Sequence, residues 1–178
     1  MIDKLRVLEQ NSIQRGIPIL GSEKGAWLLS IVQKHKPQRI LELGTANGYS
    51  GIILGSGGAR IVTVDINIVL ATEANYNFAQ FRIDAEIRLE DGVEYVQHVV
   101  KEKKEQFDLI FIDFAKKKYF PVLKNCIKLL KDNGILIADN ITMEGCQNFR
   151  EAVLHHPQLQ TEIINIKDGL SYSIKRHL

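Results

Sequence analysis

A doubly wound α/β fold, with a mostly parallel seven-stranded sheet ending in a C-terminal antiparallel hairpin, is predicted by two patterns in this 178-residue sequence. From Arg39 onward, short β-branched runs alternate with longer amphipathic ones, as strand-helix repeats around a parallel sheet do. The last two apolar runs, 161–166 and 170–174, are placed to pair as an antiparallel edge.

The segment before Arg39 reads as two helices. The second carries Trp27, Leu28, Ile31 and Val32, with Ser22 as its candidate N-cap. RILELG (39–44), RIVTVD (60–65), AEIRLE (85–90), FDLIFID (107–113) and GILIADN (134–140) read as five strands, apolar on both faces as buried parallel strands are. Helices are expected over 47–54, 68–80, 92–103 and 117–131. The last sets Phe120, Leu123, Ile127 and Leu130 at helical spacing and ends before the turn Asp132-Asn133-Gly134. Another helix is expected around 146–155. A chain of this length suits one domain over 1–178, with helices in 1–36 added to a core in 37–178.

Lys and Arg number 23 against 21 Asp and Glu, and a net charge of +2 is too small to argue for a nucleic-acid or anionic membrane partner. Cys126 and Cys146 have no paired spacing, so neither a disulfide framework nor a thiolate metal site is indicated. MIDKLRVLEQ lacks the apolar core of a signal peptide, and no segment approaches the roughly 20 apolar residues that span a bilayer. A cytoplasmic protein with no membrane partner is the expectation.

In an open parallel sheet, ligands bind beyond the C-terminal strand ends, near the point where strand order reverses. The strand ends here are rich in chemistry: Glu42 with the loop Gly44-Thr45-Ala46-Asn47-Gly48, then Asp65, Glu90-Asp91-Gly92, Asp113, and Asp139-Asn140. Glycines let the backbone approach a ligand, and Asp65, about twenty residues on, can accept hydrogen bonds from ribose hydroxyls. Together they indicate a nucleoside-bearing cofactor. NAD competes for this pattern, but the loop lacks the Gly-x-Gly-x-x-Gly spacing that brings a pyrophosphate to a helix N-terminus. Glu42 would also repel phosphates, whereas it suits the cationic amino acid end of S-adenosylmethionine.

Asp113, Asp139 and Asn140 end strands expected to be neighbours, and hard oxygen donors of this kind suit Mg²⁺. The alternative for Asp139-Asn140 is a turn or a helix cap. Lys116, three residues past Asp113, can reach the same cavity as a general base; the alternative is that Lys116-Lys117-Lys118 is a solvated surface run.

GSEKGAWLL, ILELGTANGYSG, VTVDIN, LEDG, FDLIFIDFAKKKYF, GILIADN and DGLSYSIK, in this order, resemble the metal-dependent class I O-methyltransferases that include catechol O-methyltransferase, the caffeoyl-CoA enzymes and their smaller bacterial and archaeal relatives. The resemblance covers the chain from about Pro18 to the end. It implies an S-adenosylmethionine site in which Glu42, Gly44 and Ser50 meet the methionine part, Asp65 the ribose, and Ile66, Asp91 and Gly92 the adenine surroundings. Leu20 adds a backbone contact, and Asp113 borders the cofactor. It further implies a divalent metal, Mg²⁺, on Asp113, Asp139 and Asn140, with Lys116 as general base beside catalytic Asp113. The implied reaction is methyl transfer to a metal-held hydroxyl of a small phenolic or catechol-like acceptor, by a homodimer. Three departures stand out. Ala46 occupies a position that is often glycine, Asp65 replaces a longer glutamate, and Ser171 stands where the catechol enzyme has a glutamate for the second hydroxyl. Relatives that methylate a hydroxylated tRNA base offer an alternative, with Lys101, Lys103, Lys104 and the Lys116 run as phosphate contacts, against which Glu102 and Glu105 lie interleaved. A non-catalytic cofactor-binding protein is a third reading, opposed by the intact set of Asp113, Lys116, Asp139 and Asn140.

Overall fold

A computed structural model describes residues 2–102 and 106–177. Seven strands form one sheet: β1 (Arg39–Leu43), β2 (Arg60–Asp65), β3 (Ala85–Leu89), β4 (Phe107–Ile112), β5 (Leu130–Asp139), β6 (Leu159–Ile164) and β7 (Leu170–Lys175). Their order is β3-β2-β1-β4-β5-β7-β6. The pairs from β3 through β5 are parallel, and β7 runs antiparallel to both β5 and β6. The mostly parallel sheet with its antiparallel hairpin is the architecture expected from the sequence.

The helices divide between two faces. On one, α1 (Ile2–Gln14), α2 (Ser22–His35), α3 (Tyr49–Gly55) and α4 (Ile68–Phe81) bury Leu5, Leu28, Ile53 and Phe78 against Ile40, Leu109 and Ile137. On the other, α5 (Gly92–Glu102), α6 (Tyr119–Leu129) and α7 (Gln147–His155) bury Val96, Leu123 and Phe149 against Leu41, Ile110 and Leu136. Adjacent apolar residues of β1 and β4 therefore serve opposite cores, which is why these strands are apolar on both faces. The chain leaves β1 toward β2 on one side and enters β4 on the other, so the strand order reverses between β1 and β4. A crevice is expected above that gap.

Several local expectations need correction. Ser22 is the first residue of α2, not its cap; Gly21 occupies the cap with φ 78° and offers no side-chain bond. The Ser22 N–H instead donates to Glu9 Oε1 of α1 at 2.9 Å, so a neighbouring helix supplies the missing acceptor. β3 is not buried on both faces: it is the sheet edge, with Glu86 and Arg88 along it and Leu89 exposed, and charge on an edge discourages further pairing. α6 ends at Leu129 and passes directly into β5. The Asp132-Asn133-Gly134 turn lies inside that strand as a bulge, exposed at Asp132 and Asn133 and buried at Gly134, where the pairing jumps from Phe107↔Leu130 to Leu109↔Ile135. Phe120 is 53% exposed, and Tyr119 and Val122 take the buried face with Leu123 and Ile127. The start of α3 slips to Tyr49 because Gly48 is left-handed, φ 89°. Lys103, Lys104 and Glu105 lie outside the described residues.

Candidate functional site

At the reversal point the backbones of β1 and β4 crowd together. A Cβ on Gly44 would stand 2.2 Å from the Asp113 carbonyl oxygen, and its φ of +112° disfavours any side chain, so only glycine fits. Two residues on, Ala46 is also left-handed, φ 43°, a conformation that costs an alanine about 1–2 kcal/mol. Its N–H donates to Asp65 Oδ2 at 2.9 Å, while Asp65 Oδ1 accepts from the Asn67 N–H at 2.9 Å. One carboxylate thus ties the loop after β1 to the loop after β2, and each of its oxygens keeps a lone pair for a ligand hydroxyl.

Beneath this loop Glu42 is fully buried. Ser50 Oγ donates to its Oε1 at 2.5 Å and Thr63 Oγ1 to its Oε2 at 2.6 Å. Burial pushes the Glu42 carboxyl up to about 7, despite the two hydroxyl donors that favour its ionised form. Glu42 therefore underlies the floor of the site and meets it through Ser50.

A cavity of about 530 Å³ opens over these groups, within the range of roughly 300–1,000 Å³ typical of small-molecule sites. Gly44, Ser50 and Asp65 line it, with Leu20 from the loop before α2. Ile66, Asp91 and Gly92 line it too, and Ile66 is 71% exposed, an apolar side chain left open to solvent. Asp91 Oδ1 accepts from the Val93 N–H at 2.9 Å at the start of α5, and Oδ2 pairs with Lys118. The Lys118 bond, aided by backbone donors, holds the Asp91 carboxyl below its ordinary value.

Asp113, Lys116, Asp139 and Asn140 line the same cavity. Lys116 to Lys118 form a 3₁₀ turn ahead of α6, and the turn splits the lysine run: Lys116 and Lys118 point inward while Lys117 is exposed. Lys116 Nζ donates to Asp113 Oδ1 at 2.8 Å and to the Tyr119 hydroxyl at 2.9 Å, and lies 5.1 Å from the Tyr119 ring centroid. Burial, reinforced by Asp113 and Asp139, pushes the Tyr119 phenol well above its ordinary value, so it remains a neutral partner for the lysine. Phe114 stacks on Tyr119 at 5.8 Å, and its ring lies 2.9 Å from where a Cβ on Gly92 would be.

Lys24 of α2 completes the site from the opposite direction. It is 2% exposed and donates to Asp139 Oδ1 and to Asp168 Oδ1. Asp168 Oδ2 in turn accepts from Asn140 Nδ2, and Asn140 is left-handed, φ 57°, a conformation asparagine tolerates. Burial would lower the Lys24 pKa, but its bonds to Asp139 and Asp168 outweigh this and leave it raised. Burial also raises Asp139, helped by the charge of Asp113 and opposed by Lys24.

The donor set fits a hard divalent ion in kind: carboxylates of Asp113 and Asp139, and the Asn140 amide, whose Nδ2 is engaged by Asp168 so that Oδ1 faces away from that bond. Among the described residues no group of three or more His, Cys, Asp or Glu side chains gathers as a metal site, and the Asn140 amide lines the cavity beside the two carboxylates. Lys24, Asp168 and Tyr119 were not anticipated as site residues. Lys24 had a legible signal, since it falls on the apolar stripe of α2 with Leu28, Ile31 and Val32. Ser171 is buried in β7 opposite Ala138, its hydroxyl has no hydrogen-bond partner among the described residues, and it does not line the cavity.

Known proteins similar to this chain share one description. A family model described as O-methyltransferase matches residues 2–176. Catechol O-methyltransferase B of Danio rerio is 30% identical over 173 residues, covering 87% of this chain and 64% of that protein. A catechol O-methyltransferase of the bacterium Niastella koreensis is 25% identical over 150 residues, covering 80% and 68%. The chain thus spans just under two thirds of the length of its zebrafish relative. The O-methyltransferase of Bacillus cereus, solved in complex with SAH, superposes with a TM-score of 0.88 at 24% identity, over 98% of this chain and 91% of that one. The latter likeness speaks to the fold. Among the described residues, no helix is long and apolar enough to cross a membrane.

Proposed function

Because the chain belongs to the O-methyltransferase family, we propose that it transfers a methyl group from S-adenosylmethionine to a hydroxyl of a small phenolic or catechol-like acceptor, with a divalent ion, Mg²⁺, holding that oxygen. The observation that carries this reading is one shared cavity: the glycine loop with Asp65 lines it, and so do Asp113, Lys116, Asp139 and Asn140. Cofactor and acceptor chemistry then meet in a single space.

The bound ion would lower the pKa of the acceptor hydroxyl and screen its developing charge. Asp113, Asp139 and the Asn140 amide oxygen are the groups to hold it. In the transfer an oxygen–carbon bond forms as the sulfur–methyl bond breaks, the sulfonium becomes a thioether, and the hydroxyl proton passes to Lys116 Nζ in its neutral amine form, which becomes the ammonium. Asp113 and Tyr119 fix that nitrogen beside the reacting oxygen through the two bonds at 2.8 and 2.9 Å. Asp65 orients the ribose, and Ile66 with Gly92 borders the adenine. Catechol recognition through a carboxylate at position 171 is absent, because the residue there is serine and lies outside the cavity. A single hydroxyl is accordingly the minimal requirement on the acceptor. The RNA alternative draws less support, since Lys116 and Lys118 are engaged with Asp113 and Asp91.

The test is transfer of labelled methyl to a panel of phenols and catechols. Lys116→Ala is expected to lower kcat by about 10²–10⁴-fold, the usual worth of a general base, with little change in S-adenosylhomocysteine affinity. Unchanged turnover in that variant would remove Lys116 from the chemistry, and label appearing in tRNA alone would favour the other acceptor.

A further inference from the structure

We infer that Lys24 and Asp168 are positioning residues that aim two of the three metal donors, an inference that rests on the divalent-ion reading above. The geometry is a closed bracket. Lys24 Nζ holds Asp139 by Oδ1, which leaves Oδ2 as the oxygen available to a cation. The same ammonium holds Asp168 by Oδ1, and Asp168 uses its other oxygen to hold Asn140 by Nδ2. An asparagine side chain has one acceptor and one donor end, and fixing the donor end decides where the acceptor points. One buried cation from α2 therefore sets the orientation of two consecutive residues at the end of β5, across 115 positions of sequence.

Three features separate this from an incidental ion pair. Lys24 is 2% exposed, where an unpaired ammonium would be costly, so its two carboxylates are obligatory partners. Asp168 comes from the turn into β7, not from the two strands that bear the ligands, and its two oxygens serve different partners. Asn140 stands at a left-handed backbone position, so its side chain leaves the strand end on a course that Asp168 intercepts. Outer partners of metal ligands typically contribute about 10–100-fold in metal affinity.

The experiment is Mn²⁺ titration followed by electron paramagnetic resonance on the intact protein, as wild type, Lys24→Met and Asp168→Asn, with S-adenosylhomocysteine affinity measured in parallel. Both variants are expected to bind Mn²⁺ about 10-fold or more weakly while keeping the nucleoside ligand's affinity. The Asp168 side chain is 37% exposed, so Asp168→Asn still decides the matter where Lys24→Met fails to fold. An asparagine at 168 puts a donor against either Lys24 or Asn140, and one arm of the bracket must open. A pair that merely fastened α2 to the sheet would lower Tm and leave Mn²⁺ affinity alone. Wild-type binding with unchanged or tighter binding in the variants would overturn the positioning role by itself. No Mn²⁺ binding by wild type would overturn the divalent-ion reading and this inference together.

Discussion

Glu42 shows how one sealed side chain sets a property of the whole protein. Its carboxyl lies at about 7 in the fold, against about 4.5 for the free side chain, because burial disfavours the charged form. A folded-state pKa above the unfolded one means that the native state holds its proton more tightly. The stability this gives is complete below pH 4.5 and disappears as pH rises to about 7. Glu42→Gln keeps the size of the side chain and removes the titration, so the Tm of the variant should fall less than that of wild type between those limits. Thermal unfolding across pH measures it, and parallel profiles would show that Glu42 does not titrate there. At this scale the sequence was informative about Asp65, Asp113 and Lys116, because each ends a strand or follows one, and about Glu42, a lone acid inside the apolar run of β1. It was silent on the pairing of Lys24 with Asp168, since partners separated by 144 positions are joined only by the fold. Ala46 likewise reads as an ordinary loop residue until its left-handed φ is known.

The elements were legible where one face or both faced apolar neighbours. β1, β4 and the second half of β5 are mostly apolar because their apolar residues divide between two cores. β3 misleads when grouped with strands apolar on both faces: Glu86 and Arg88 alternate with its apolar residues, and the sheet order places it at an edge. Element ends depend on partners from elsewhere, as the Glu9 bond to Ser22 does. The start of α4 is more local. Asn67 Oδ1 accepts from the Val69 and Leu70 N–H groups, both at 3.1 Å, two donors that the helix cannot satisfy itself. Asn67→Ala should cost about 1 kcal/mol in chemical denaturation, and Asn67→Asp much less. A loss indistinguishable from zero would mean that water replaces the cap. Since Asn67 also lines the cavity, a parallel drop in nucleoside affinity is expected.

Over the whole molecule, the strand-order reversal between β1 and β4 brings the distant chemistry together. Gly44 can lie against the Asp113 carbonyl only because these strands are neighbours, and the antiparallel β7 returns Asp168 to the end of β5. The central claim is that the resulting cavity takes an adenosyl ligand next to a divalent ion. Calorimetric titration of the protein with S-adenosylhomocysteine, with and without Mg²⁺ and with NAD as control, tests it most directly. Micromolar binding of the adenosyl ligand and none of NAD is the expected result. Absence of adenosyl binding under either condition, or preference for NAD, would contradict that claim.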